Sequence, residues 1–93
     1  NGIEVLLCSV LPAAAFPWAP DIEPVAEVLA LNQMIKAYCR ANNFTYVDYF
    51  SAMADAENGL QAALTYDGVH PNKAGYEVMG PLVEAAIDGV LGK

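Results

Sequence analysis

Positive charge and histidine are both scarce in this chain. Four basic residues stand against eleven acidic ones, a net charge of −7 over 93 residues, with a single histidine. Such a surface repels a phosphate backbone and an anionic membrane, which disfavours nucleic-acid binding. Only two cysteines are present, Cys8 and Cys39. They lack metal-ligand spacing, no His or Cys cluster accompanies them, and both read as small apolar packing residues; no metal or cofactor is assigned. No apolar run is long enough to span a bilayer, and no charged-then-apolar-then-small leader pattern occurs, so no membrane span is expected. The compartment stays open between cytoplasmic, periplasmic and secreted. Repeats and low-complexity tracts are missing too. So is an initiator Met: Asn1-Gly2 runs at once into the apolar stretch Ile3–Leu11, and we expect residues 1–93 to be the C-terminal part of one longer domain.

What is present describes a packed α/β piece. The chain is 56% hydrophobic and 16% charged, with mean hydropathy +0.31, which sets it apart from disordered segments. Ile3–Leu11, interrupted only by Glu4 and Ser9, suits a strand buried on both faces of a parallel sheet. Three prolines between Pro12 and Pro20 then enforce a loop, where open α/β sheets build their binding crevices. From about Glu23 to Asn42 the pattern is helical, with Pro24 suited to the first turn and Val25, Val28, Leu29, Ile35 and Tyr38 spaced by threes and fours; Asn42-Asn43 marks a stop. Phe44–Phe50 reads as a second strand, giving a parallel, right-handed crossover unit. A short helix is expected before Asn58-Gly59 and another around Leu60–Leu64. Asn72 can cap a terminal helix whose stripe of Tyr76, Met79, Leu82, Val83, Ala86, Ile87, Val90 and Leu91 packs on the sheet, with Pro81 kinking or splitting it.

The chemistry concentrates in Thr65-Tyr66-Asp67-Gly68-Val69-His70-Pro71-Asn72. An imidazole activates a serine hydroxyl only when a partner fixes its tautomer, and an aspartate is the usual partner. A tight turn, loosened by Gly68 and stiffened at its exit by Pro71, can join Asp67 to His70. His70 then reads as general base and acid, and Asp67 as its orienting group. A histidine beside a turn aspartate also serves as a plain helix-start hydrogen bond, so a non-catalytic acidic interaction module stands as the alternative. Neither Ser9, inside an apolar run, nor Ser51, a turn or cap residue, sits in a nucleophile turn. Trp18, in the loop with Phe16, and Val69, between the two polar residues, are candidates for substrate contact. Asp48 and Asp55 read as solvated or helix-capping carboxylates.

Asp67-Gly68-Val69-His70-Pro71-Asn72, continued by Ala74-Gly75-Tyr76, resembles the C-terminal signature block of the SGNH (GDSL-type) hydrolases, a family of serine esterases, lipases and acylhydrolases. Val5–Pro12 and the helix bearing Leu31-Asn32 are similar to the region before that block in bacterial members. The resemblance implies a three-layer α/β/α, flavodoxin-like fold with a parallel sheet, and a Ser-His-Asp triad whose Asp and His fall on Asp67 and His70. The family's Gly-Asp-Ser block, the glycine of its second block and its Gly-x-Asn-Asp block are not found in this chain and would lie before Asn1. By that resemblance the chain alone is expected to be inactive, an ester such as an acetylated sugar is the expected substrate of the parent enzyme, and the expected partner is the N-terminal portion of the same protein or a second copy.

Overall fold

A computed structural model describes residues 3–92. Its frame is a crossover: β1 (Leu6–Cys8), α1 (Pro24–Asn42) and β2 (Thr45–Val47), with the strands paired in parallel so that Leu6, Leu7 and Cys8 face Thr45, Tyr46 and Val47. Two shorter pieces follow, α2 (Tyr49–Met53) and a 3-10 turn at Ala62–Leu64, before the long α3 (Lys73–Val90). Successive residues of a strand point to opposite faces. On one face Val47 packs with Tyr49, Met53, Leu60 and Leu64 against Val78, Met79, Leu82, Val83 and Ala86 of α3. On the other, Tyr46 shares a hollow with Leu29 and Asn32 of α1. The order of layers is α1, sheet, α3.

Both helices start and stop where local chemistry demands. Pro24 occupies the first turn of α1, where its missing N–H costs nothing. Asn43 ends that helix in the left-handed region, φ 58°, with its N–H on the Cys39 carbonyl. Asn72 caps α3 by accepting from the Gly75 N–H. Pro81 does not divide α3, which is one helix through that position. The carbonyl that Pro81 leaves without a donor belongs to Glu77, and both residues are exposed, so water can serve it.

Several sequence expectations are corrected. Leu6 and Leu7 are half-buried and Cys8 is exposed, because among the described residues β1 has a strand neighbour on one side only. Cys39 is buried as expected. Phe44–Phe50 is not one strand: Asp48 ends β2 and caps α2, its carboxylate accepting from the Ser51 N–H and Oγ. Ser51 and Asp48 are thus a cap pair. Asp55 likewise closes a turn, accepting from the N–H groups of Glu57 and Gly59. On α1 the buried line is Pro24, Val28, Asn32 and Cys39, whereas Leu29 and Tyr38 are exposed. On α3 Tyr76, Ile87 and Leu91 are exposed and Val78 joins the core, which places the buried stripe one flank round from the expected one.

Ser9 and Asn32 hold the exit of β1. The buried Ser9 Oγ accepts from the Phe50 N–H at 2.9 Å, tying β1 to the first turn of α2. Asn32 imitates a strand neighbour: its Oδ1 accepts from the Val10 N–H at 2.6 Å and its Nδ2 donates to the Val10 carbonyl at 3.0 Å. Ser9 is therefore a structural hydroxyl. Ser9→Ala should cost about 1–3 kcal/mol of stability by stranding the Phe50 N–H. Chemical denaturation checks this, and a loss below about 0.3 kcal/mol would mean that the bond does not hold α2 in place.

Candidate active site

The turn that carries Asp67 and His70 is closed at its base by backbone pairing. The Asn72 N–H donates to the Leu64 carbonyl at 2.9 Å, Thr65 and Pro71 form an antiparallel bridge, and Asn72 Nδ2 donates to the Ala63 carbonyl at 3.1 Å. Gly75 makes the close approach possible. A Cβ there would lie 2.5 Å from the Leu64 carbonyl oxygen and 2.9 Å from the Pro71 Cβ. Inside the loop, Gly68 takes φ +85°, a left-handed conformation suited to glycine.

Thr65 organises the interior of this turn and was missed by sequence reasoning. Its hydroxyl donates to the His70 carbonyl at 2.6 Å and accepts from the Gly68 N–H at 3.0 Å. The signal was available in principle, since a threonine just before an Asx turn is a known way to brace one. Asp67 Oδ1 accepts from the N–H groups of Val69 at 2.8 Å and His70 at 2.7 Å, leaving Oδ2 to meet His70 Nδ1 at 2.7 Å. Val69 is half-buried, and its backbone N–H is engaged with Asp67.

These bonds fix the charge state. The His70 backbone N–H, then the imidazole, then the Val69 N–H all favour the carboxylate and hold Asp67 well below the usual carboxylate range. An ionised carboxylate only accepts hydrogen bonds, so His70 Nδ1 carries the proton and the lone pair is on Nε2. The imidazole is 58% exposed and the Asp67 side chain 31%. The pair is accessible, oriented and ready to take a proton.

Trp18 comes to the same place from the loop after β1. Its ring centroid lies 6.2 Å from that of His70 at a tilt of 40°, and its other neighbour is Phe16, stacked at 5.2 Å and 14°. Beside the pair, an open cleft of about 360 Å³ runs from Ala14, Phe16, Pro17 and Pro20 to Asp67 and Gly68. β1 and α3 thus deliver an aromatic wall and a base to one rim of the sheet.

Residues 1–78 match the GDSL-like lipase/acylhydrolase family. The chain belongs to that family. It is similar over 95% of its length to a GDSL-like lipase from Bacteroides thetaiotaomicron, at 40% identity and a TM-score of 0.90. Over 96% of its length it is similar to a candidate acylhydrolase from Bacteroides fragilis, at 43% identity and a TM-score of 0.91. The chain spans under half of those proteins, 44% of each. No match to a curated protein is found. The parallel-sheet α/β fold expected from sequence is the fold of this family, and among the described residues no helix is long and apolar enough to cross a membrane.

Two outcomes test the turn. The carbon-13 shift of the Asp67 carboxyl should stay flat from pH 7 down past its ordinary value of 3.8, with the midpoint below it. Because the folded value is lowered, the stabilisation is present above the ordinary value and is lost as pH falls through the folded one. A midpoint near the ordinary value would contradict the hydrogen-bond pattern. Gly75→Ala should cost about 1–3 kcal/mol, because carbonyl and proline ring cannot both yield cheaply, and should broaden the His70 ring signals in NMR.

Proposed function

We propose that this chain supplies the histidine and aspartate of a serine ester hydrolase, with an esterase- or lipase-like acylhydrolase activity. The observation that carries the reading is the Asp67 Oδ2 to His70 Nδ1 contact of 2.7 Å, made by a carboxylate that two backbone N–H groups keep ionised. Membership in an acylhydrolase family supports it. In the reaction a serine from the portion upstream of Asn1 attacks the ester carbonyl while His70 Nε2 takes its proton. Collapse of the tetrahedral intermediate breaks the bond to the alcohol oxygen, which receives that proton. Water then attacks the acyl-serine, Nε2 takes a proton from the water, and the second collapse returns it to the serine oxygen, releasing the acid. Asp67 holds the tautomer and stabilises the imidazolium through both steps.

The same reading makes residues 1–93 the C-terminal part of a single domain. β1 has an edge that no described strand pairs, and Leu31, Met34 and Tyr38 form an exposed apolar line along α1. Unpaired edges and apolar lines of this kind call for a cover. The upstream portion is the natural one, since the structural relatives are more than twice as long as this chain. That portion also brings the nucleophile and oxyanion donors, and without them the chain turns over no ester.

Combining the chain with its upstream portion should produce hydrolysis of p-nitrophenyl acetate. His70→Ala should lower kcat by about 10³-fold or more, and Asp67→Asn by about 10³–10⁴-fold, because the amide allows the wrong imidazole tautomer. Activity indifferent to His70→Ala would remove the hydrolase reading and leave Asp67 and His70 as a structural turn.

A further inference from the structure

Trp18 stands against His70 with nothing in the fold requiring it there. It is 63% exposed, in a loop whose prolines already fix the path of the backbone, and its two ring neighbours are Phe16 and the imidazole itself. A large aromatic side chain left in water beside a base has surface to offer a ligand.

Which part of an ester would meet it follows from the chemistry of the imidazole. This inference rests on the hydrolase reading above. The proton that His70 Nε2 returns goes to the alcohol oxygen, so that oxygen must come within about 3 Å of Nε2. The carbon skeleton of the alcohol then begins one bond further out, within reach of a ring whose centroid is 6.2 Å from the imidazole. The acyl chain leaves the carbonyl carbon by its other bond and is not drawn to Trp18. The face available is flat and apolar, backed by Phe16, which also lines the cleft of about 360 Å³ that reaches Asp67 and Gly68. That volume falls in the range of small-molecule sites, about 300–1,000 Å³. A ring covers such a face better than a flexible chain does, since it presents one rigid surface and loses little conformational freedom on binding.

We propose that the Phe16–Trp18 pair is the leaving-group subsite, and that Trp18 selects esters whose alcohol carries a ring, a pyranose or an aryl group. Trp18 acts on specificity and takes no part in proton transfer.

The test uses the chain together with its upstream portion and three acetates that differ only in the alcohol: an acetylated methyl pyranoside, phenyl acetate and ethyl acetate. Trp18→Ala should lower kcat/KM about 10-fold on at least one of the two ring-bearing esters and less than 2-fold on ethyl acetate, and Trp18→Phe should recover most of the loss. The ring ester that responds names the source of the ring. An equal loss on all three, or a loss that follows acyl length in a series of ethyl esters, would overturn the proposal. Binding is read separately in the His70→Ala protein, where saturation-transfer NMR should detect methyl glucopyranoside or benzyl alcohol and lose the signal in the added Trp18→Ala variant. Absence of both signals overturns the subsite even if ester hydrolysis depends on His70. Presence of one, with no His70-dependent hydrolysis, keeps the subsite and removes the reaction.

Discussion

The site depends on a clamp at the base of one turn. Leu64 and Asn72 are joined by a backbone hydrogen bond, Thr65 and Pro71 by a bridge, and the first turn of α3 lies against the Leu64 carbonyl because Gly75 has no side chain. Everything between is forced into a short loop with its ends fixed. Closing so short a loop limits what its backbone can do, and its free N–H groups must find acceptors nearby. Asp67 is that acceptor. The ionised carboxylate is thus a product of turn geometry, and the imidazole inherits its tautomer from the carboxylate. Electrostatics at the base follow from a packing contact several residues away.

The clamp also fixes where the base stands relative to the sheet. α3 begins at Lys73 and presses Val78, Met79, Leu82, Val83 and Ala86 onto Val47, Tyr49, Met53 and Leu64. Leu64 belongs to both the core and the clamp, so the turn cannot slide along the sheet without opening the core. Ser9 and Asn32 do the same for the opposite side of the site, binding the exit of β1 to α2 and α1. The loop bearing Phe16 and Trp18 leaves from that braced exit. Wall and base therefore meet through two independent anchorages on one small sheet.

The sequence was most legible where one residue type has one physical use. Asn72 as a cap, Pro24 in a first turn, Asn43 as a stop and the Asp67–His70 spacing are all of that kind, and each is found in the structure in the geometry its chemistry suggests. Legibility failed where apolar residues had to be assigned to a face. Cys8, Leu29, Tyr38, Tyr76 and Ile87 were taken as core and are exposed, since hydrophobicity reports that a residue wants cover and does not say which element supplies it. The end of β2 failed for a different reason. Tyr49 and Phe50 have strand propensity, but Asp48 offers its carboxylate to the Ser51 N–H, and a cap outweighs a preference of a few tenths of a kcal/mol. Thr65 was overlooked because its role is to the backbone of residues not yet known to turn.

Local and tertiary order divide the work of this site. The carboxylate and imidazole lie three residues apart, so their pairing needs little loop closure and survives any rearrangement that spares the clamp. A nucleophile on another part of the chain has no such protection, because its distance to Nε2 is set by every layer between them. A misplacement of 1 Å at that point costs on the order of 100-fold in rate. It is therefore consistent that the rigid devices of this chain, the Leu64–Gly75 contact, the Ser9 and Asn32 braces and the α3 stripe, all act on the position of the turn as a whole. The base is assembled locally, and the rest of the fold is concerned with aiming it.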